Sequence, residues 1–262
     1  DGYYMRFHRT ASDSQTNATG IAQGLETIDS KHLAGQEITF SFRARAGANW
    51  SPSSGRLTAV VQGGEGTDQN PVGMTTSETI IGISADMSTG SSWATFSGSA
   101  TVPSDKTQIA IWFSFVPTGT AGANDYFDVR NIQVEVGGTA TTFEQKTYGE
   151  ELALCQRYLP SFTGANMFMG FAAATTYGYY TVNYPVPSRV IPTGLFVSSL
   201  SGFEISTIGG SAQAFTSLNI VSGYIGNNSC WLNPNVSSGL TANGTAFVRH
   251  GSGIIYLTGC EL

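Results

Sequence analysis

A period of two runs through the first half of the chain and points to sheet. Residues 37–45 place Ile38, Phe40, Phe42 and Ala44 on one side and Thr39, Ser41, Arg43 and Arg45 on the other. That is the pattern of a strand with one face buried. Residues 56–62 repeat it with Leu57, Ala59 and Val61 inward. Residues 79–87 repeat it with Ile81, Ile83 and Ala85, residues 93–102 with Ala94, Phe96, Gly98 and Ala100, and residues 106–116 with Ile109, Ile111, Phe113 and Phe115. In this last segment Lys106, Gln108, Trp112 and Ser114 face the other way. Residues 126–136 change phase, with Phe127 and Val129 on one parity and Ile132, Val134 and Val136 on the other. A bulge near Arg130 and Asn131 keeps the apolar side inward. Loops rich in Gly, Ser, Pro and Asn separate these segments at 47–55, 63–73, 88–92 and 117–124. The expected first domain is an antiparallel β-sandwich.

One helix interrupts the pattern. Thr147 and Glu150 stand at capping-box spacing, where each satisfies the other's free backbone amide. Glu150 and Glu151 fall in the first turn, which favours acid. Leu152, Cys155 and Leu159 recur at helical spacing, and Pro160 ends the run. After it the chain is again strand-like, at 177–186, 214–221, 245–249 and 254–258, and the Asn-rich interval 226–244 reads as loop. The fold class is all-β: two antiparallel β-sandwich, jelly-roll-like domains joined by one short α-helix.

Charge divides the chain in the same place. Residues 1–158 hold 10 basic and 16 acidic side chains, while residues 159–262 hold only Arg189, Arg249, Glu204 and Glu261. The expected domains are 1–145, a linking helix at 146–160, and a second domain at 161–262. A half with so few charges either wets itself with Ser, Thr, Asn and Gly or hides surface against other copies. Its Phe and Tyr content favours the second. The net charge of −6 argues against a nucleic-acid surface. No apolar run reaches the ~18–20 residues of a membrane-spanning helix, so membrane insertion is not expected. The first residues lack the basic start and apolar core of a signal peptide.

Catalytic patterns are missing. His8, His32 and His250 are far apart in sequence, and neither H-E-x-x-H nor G-x-S-x-G occurs. Gly63, Gly64 and Gly66 lack the Lys and Ser/Thr of a phosphate loop and read as a surface turn. Asp125 and Asp128 are close in sequence, but nothing else supports an enzyme built on them. They are the candidate oxygen ligands for a structural Ca²⁺, against the plainer reading of solvated turn acids. No other cofactor is expected. The three cysteines, Cys155, Cys230 and Cys260, lack metal-ligand spacing and read as buried free thiols, with a Cys230–Cys260 disulfide the alternative.

Aromatic rings and amides remain as binding chemistry. The face of an indole packs against the C–H bonds of a sugar ring, while Asn and Gln bond its hydroxyls. Trp112 and Trp93 fall opposite the core parity, and Trp50 lies in a loop. Trp231 sits among Asn227, Asn228, Asn233 and Asn235 in the 226–244 interval. The candidate glycan-binding residues are Trp231, Asn228, Asn233, Trp112 and Trp50, with Trp231 the first choice of anchor. The plainer reading of each tryptophan is a core, loop-covered or interface ring.

Three stretches, residues 36–49 (QEITFSFRARAGAN), 100–104 (ATVPS) and 125–144 (DYFDVRNIQVEVGGTATTFE), resemble jelly-roll modules related to carbohydrate-binding domains. Residues 145–160 (QKTYGEELALCQRYLP) resemble the joint of tailed-bacteriophage tail fibre and receptor-binding proteins. There a jelly roll runs through a short E-L-x-x-C-Q-R-Y helix into a terminal head. Residues 185–193 (PVPSRVIPT) and 239–262 look like that head. The resemblance implies a non-enzymatic homotrimer at the virion tail, extracellular, with other tail proteins and host surface polysaccharide or lipopolysaccharide as partners. Leu152, Cys155 and Leu159 are then expected at the trimer interface. It also implies a longer parent chain, since this one starts inside what resembles the first jelly-roll strand. The alternatives are a glycan-degrading tail depolymerase and a purely structural tail or baseplate part.

Overall fold

The computed structural model describes residues 3–162, 168–208, 210–250 and 253–261. Asp1 and the side chain of His250 lie outside this description. The chain forms two compact units, 1–145 and 146–261.

The described residues of the first unit form eight strands: β1 (Met5–His8), β2 (Thr19–Gly24), β3 (Glu37–Ala46), β4 (Arg56–Glu65), β5 (Thr75–Asp86), β6 (Ala94–Thr101), β7 (Gln108–Phe115) and β8 (Tyr126–Val136). They make two four-stranded antiparallel sheets, ordered β1-β8-β3-β6 and β2-β7-β4-β5. The inward parities read from the sequence fill the space between them. Ile38, Phe40, Phe42, Leu57, Val61, Ile109, Phe113, Phe115, Phe127 and Val129 are all buried in one core. Phe42 and Phe113 meet edge to face across the sandwich at 5.0 Å, a favoured aromatic geometry. The phase change in β8 is a bulge. Arg43 pairs with Arg130 and Ser41 with Gln133, and Asn131 takes a φ of 52°, a region Asn tolerates better than most residues. Gly63, Gly64 and Glu65 end β4 rather than forming a surface turn. Gln108 has the outward parity yet is buried, because its amide is taken by Thr27 and by the backbone N–H of Gln69.

The second unit begins with the capped helix α1 (Tyr148–Tyr158). The Thr147 hydroxyl accepts from the Glu150 N–H, and the Glu150 carboxylate accepts from the Thr147 N–H at 2.8 Å. The Thr147 N–H, and then its hydroxyl, donate to the carboxylate and hold Glu150 below the ordinary glutamate range. Nine strands follow among the described residues: β9 (Ser161–Phe162), β10 (Phe168–Ala172), β11 (Gly178–Asn183), β12 (Gly194–Val197), β13 (Phe203–Thr207), β14 (Gln213–Ile225), β15 (Ser229–Val236), β16 (Thr245–His250) and β17 (Ile255–Thr258). Six close into an antiparallel barrel, β10-β11-β15-β14-β13-β16, and β12-β17-β9 forms a three-stranded sheet. Tyr180, Val182, Ile205, Leu232, Val248 and Leu257 fill the core. Burial pushes the Tyr180 hydroxyl well above the usual tyrosine range.

The interval 226–244 is not all loop, because β15 occupies its centre. Cys230, Leu232, Pro234 and Val236 point inward, and Trp231, Asn233 and Asn235 alternate with them. Pro and Asn are depleted in strands, and they mask this alternation in the sequence. All three cysteines are free, with Cys155 exposed and Cys230 and Cys260 buried.

Candidate functional site

In the first unit Trp112 lies on the outer face of β7. Its Nε1 donates to Gln62 Oε1 on the neighbouring β4 at 2.6 Å, which fixes both side chains. On the other flank Trp112 pairs with Ala22 of β2, and Ser114 pairs with Gly20. These two small residues leave the indole uncovered from that side. A Cβ on Gly20 would lie 2.0 Å from the Phe113 carbonyl oxygen, so larger residues are excluded there. The result is a groove of about 480 Å³ lined by Trp112, Ser114, Thr19, Asn70 and Val72, within the ~300–1,000 Å³ range of small-ligand sites. Thr19, Ser114 and Asn70 supply polar groups at its sides. Gln62 stands on the β4 side of the indole, away from the residues that line the groove, and its part is to hold the ring in place.

In the second unit four adjacent barrel strands each deliver one ring to the outer surface. Phe171 of β10 is 5.8 Å from Tyr179 of β11, Tyr179 is 6.0 Å from Trp231 of β15, and Trp231 stacks on Tyr224 of β14 at 4.4 Å and 11°. Phe171 and Tyr224 are 43% and 55% exposed, so the ends of the row face solvent. Tyr224 takes one face of Trp231, which supports it. Asn233 shares its side of β15 and donates to the Gly178 carbonyl at 2.8 Å. Asn235, further along, donates to Ser217 at 3.0 Å. Asn228 lies in the turn before β15, apart from this row, and its carbonyl accepts from the Tyr184 N–H.

Other candidates are placed elsewhere. Trp50 is half-buried and packs on the core, 4.5 Å from Phe115 and 6.1 Å from Phe127, with Nε1 donating to the Gly55 carbonyl. Trp93 carries guanidinium groups, with Arg130 4.2 Å and Arg45 4.6 Å from its ring centroid. The calcium reading of Asp125 and Asp128 is corrected. Asp125 is fully buried against Arg9 at 2.7 Å, and Asp128 is fully buried between Arg6 and Arg45, both at 2.7 Å. Guanidinium groups neutralise the carboxylates a cation would need, and no metal-binding cluster occurs among the described residues. Leu152, Cys155 and Leu159 are exposed on or next to α1, and the helix buries no residue against its own unit.

No protein-family profile matches the chain, and no curated protein does either. Among solved structures it is similar to one described as "CBM4 structure and function", at 17% identity and a TM-score of 0.33, over 51% of this chain and 71% of that one. It is similar to the C-terminal domain of EclA, described as a sugar-binding protein, at 12% identity and a TM-score of 0.26, over 52% and 79% of the two chains. It is also similar to the binding domain of botulinum neurotoxin DC in complex with rat synaptotagmin II, at 10% identity and a TM-score of 0.22, over 95% and 94%.

Sequence reasoning missed Gln62 and the row partners Phe171, Tyr179 and Tyr224. Gln62 was legible in part, since it has outward parity on its strand. The rows depend on which strands become neighbours.

Proposed function

We propose that this chain is a non-catalytic glycan-recognition protein, and that its setting is the tip of a tailed-bacteriophage tail fibre. The groove over Trp112 carries the reading. An indole face walled by small residues and held in place by Gln62, with hydroxyls of Thr19 and Ser114 at its sides, matches the apolar face and hydroxyl rim of a pyranose. The ring row on the barrel is a second, shallower surface of the same chemistry. Weak contacts of this kind become strong when several copies act together. Support for the tail setting comes from the 145–160 segment, whose capping box and helix stand where the tail-fibre joint has its helix. On a glycan array the 262-residue protein is expected to bind a restricted set of host surface glycans. Incubation with the same polymers is expected to leave their viscosity unchanged. Absence of binding overturns the recognition reading, and a fall in viscosity converts it to a depolymerase.

The fibre setting carries a homotrimer with it. Leu152 at 39% and Leu159 at 37% exposure, with Cys155 beside them, form an uncovered apolar patch, and a second or third copy of the chain would cover it. Cys155 is a built-in probe. In the assembled protein its alkylation is expected to be slow. Leu152→Asp should make it fast and leave a particle near 27.6 kDa by light scattering. Fast alkylation of the parent protein, or a parent monomer at micromolar concentration, refutes the assembly.

A further inference from the structure

The outer face of the β1-β8-β3-β6 sheet gathers positive charge in a chain whose net charge is −6. Arg6, Arg43, Arg45 and Arg130 lie on this face, four of the chain's twelve basic residues. Asp128 is the carboxylate set among them, and it is fully engaged. Arg6 donates to it at 2.7 and 3.0 Å and Arg45 at 2.7 Å. Arg43 and Arg130 are left over. The register places them directly opposite each other on β3 and β8, at the bulge, where like charges repel. Neither has a hydrogen bond or ion pair with any described residue. The Nε of each is shielded from solvent with no acceptor, a costly state for a charged donor.

The surroundings fit a missing partner. Trp93 holds the Arg130 guanidinium against its ring at 4.2 Å. Thr95 pairs with Arg43, Ser97 pairs with Ser41, and both β6 side chains are exposed. Glu135 shares the face further along, opposite Thr39, but its carboxylate is occupied by Thr141 and Gln133. Burial, and then the like charges of Arg43 and Arg45, push Arg130 below the ordinary guanidinium value. Two guanidinium forks with neighbouring hydroxyls are the donor set that planar and tetrahedral oxyanions select.

We infer that Arg43 and Arg130 form an oxyanion site, separate from the Trp112 groove, that takes the carboxylate or phosphate group of an acidic glycan. The glycan as source rests on the proposed function; the anion site does not. The test is titration of the whole protein with a uronic-acid oligomer, a neutral oligomer of equal length, and inorganic phosphate. The uronic-acid oligomer is expected to bind about ten-fold more tightly than the neutral one, as one charged hydrogen-bonded contact gives, and to weaken with salt. Arg43→Gln should abolish this preference. Phosphate should raise the melting temperature of the parent and not of Arg43→Gln. Should Arg43→Gln fail to fold, Arg43→Lys keeps the charge without the fork and should reduce the phosphate effect. Phosphate binding without uronate binding assigns the anion to a phosphate ester. Phosphate stabilisation with no glycan bound keeps the site and removes the glycan. Indifference of the parent to both anions, or an unchanged preference in Arg43→Gln, overturns the inference.

Discussion

Asp125→Ala is expected to destabilise the first unit by about 3–5 kcal/mol, the usual cost of stranding one partner of a buried ion pair. Arg9 is 4% exposed and Asp125 fully buried. The Arg9 guanidinium also donates to the carbonyls of Asp13 and Gln15 at 2.9 and 2.7 Å, and the Ser51 N–H donates to Asp125 at 3.2 Å. This one pair therefore ties the chain after β1 and the loop after β3 to the start of β8. Truncating Asp125 leaves a buried cation and a buried amide with weakened partners. At about 2–4 °C per kcal/mol for a domain of this size, the melting temperature should fall by roughly 10 °C. The double variant Arg9→Met with Asp125→Leu should recover most of the loss, because removing both charges also removes their desolvation cost. If the single variant melts within a degree or two of the parent, the pair is not structural. Calcium and chelator should leave the parent's melting temperature unchanged, since Arg9, Arg6 and Arg45 already neutralise the two carboxylates.

That pair also marks a limit of reading from sequence. Asp125 and Asp128 look like ligands because they stand three residues apart, and local spacing is all a single sequence displays. Their actual partners are Arg9, Arg6 and Arg45, which are 116, 122 and 83 residues away. What is periodic and local was legible: the inward parities of β3, β4 and β7, the bulge at Arg130 and Asn131, and the capping box of Thr147 and Glu150. Trp50 was not, because a loop has no parity and its ring turns back onto Phe115. β15 was hidden by Pro234 and its asparagines. Closure of the barrel rests on β10 meeting β16, a pairing set by the whole unit. Trp231 was singled out from the sequence, but as a loop ring; its strand setting and its neighbours Tyr224 and Tyr179 came only with β14 and β11.

Trp112→Ala should have the larger effect on binding, and the barrel row the smaller. Deleting an aromatic anchor from the centre of a contact costs about 2 kcal/mol or more, which is a loss of roughly thirty-fold in affinity. The groove has one such ring. Its truncation also frees Gln62, whose amide is held by the indole bond of 2.6 Å. Gln62→Ala should therefore lose less than Trp112→Ala, and the double variant should lose less than the sum of the two, since each acts through the other. Ala22→Leu is the complementary change. It keeps β2 apolar but puts a large side chain beside the indole, so it should block the ligand without removing any contact. On the barrel, Trp231→Ala acts through Tyr224 and spreads its effect over a row of four rings, so its loss should stay below that of Trp112→Ala. Titration of the five variants with the best array glycan decides the order. If Trp231→Ala abolishes binding while Trp112→Ala and Ala22→Leu bind as the parent does, recognition belongs to the barrel row and the groove is incidental.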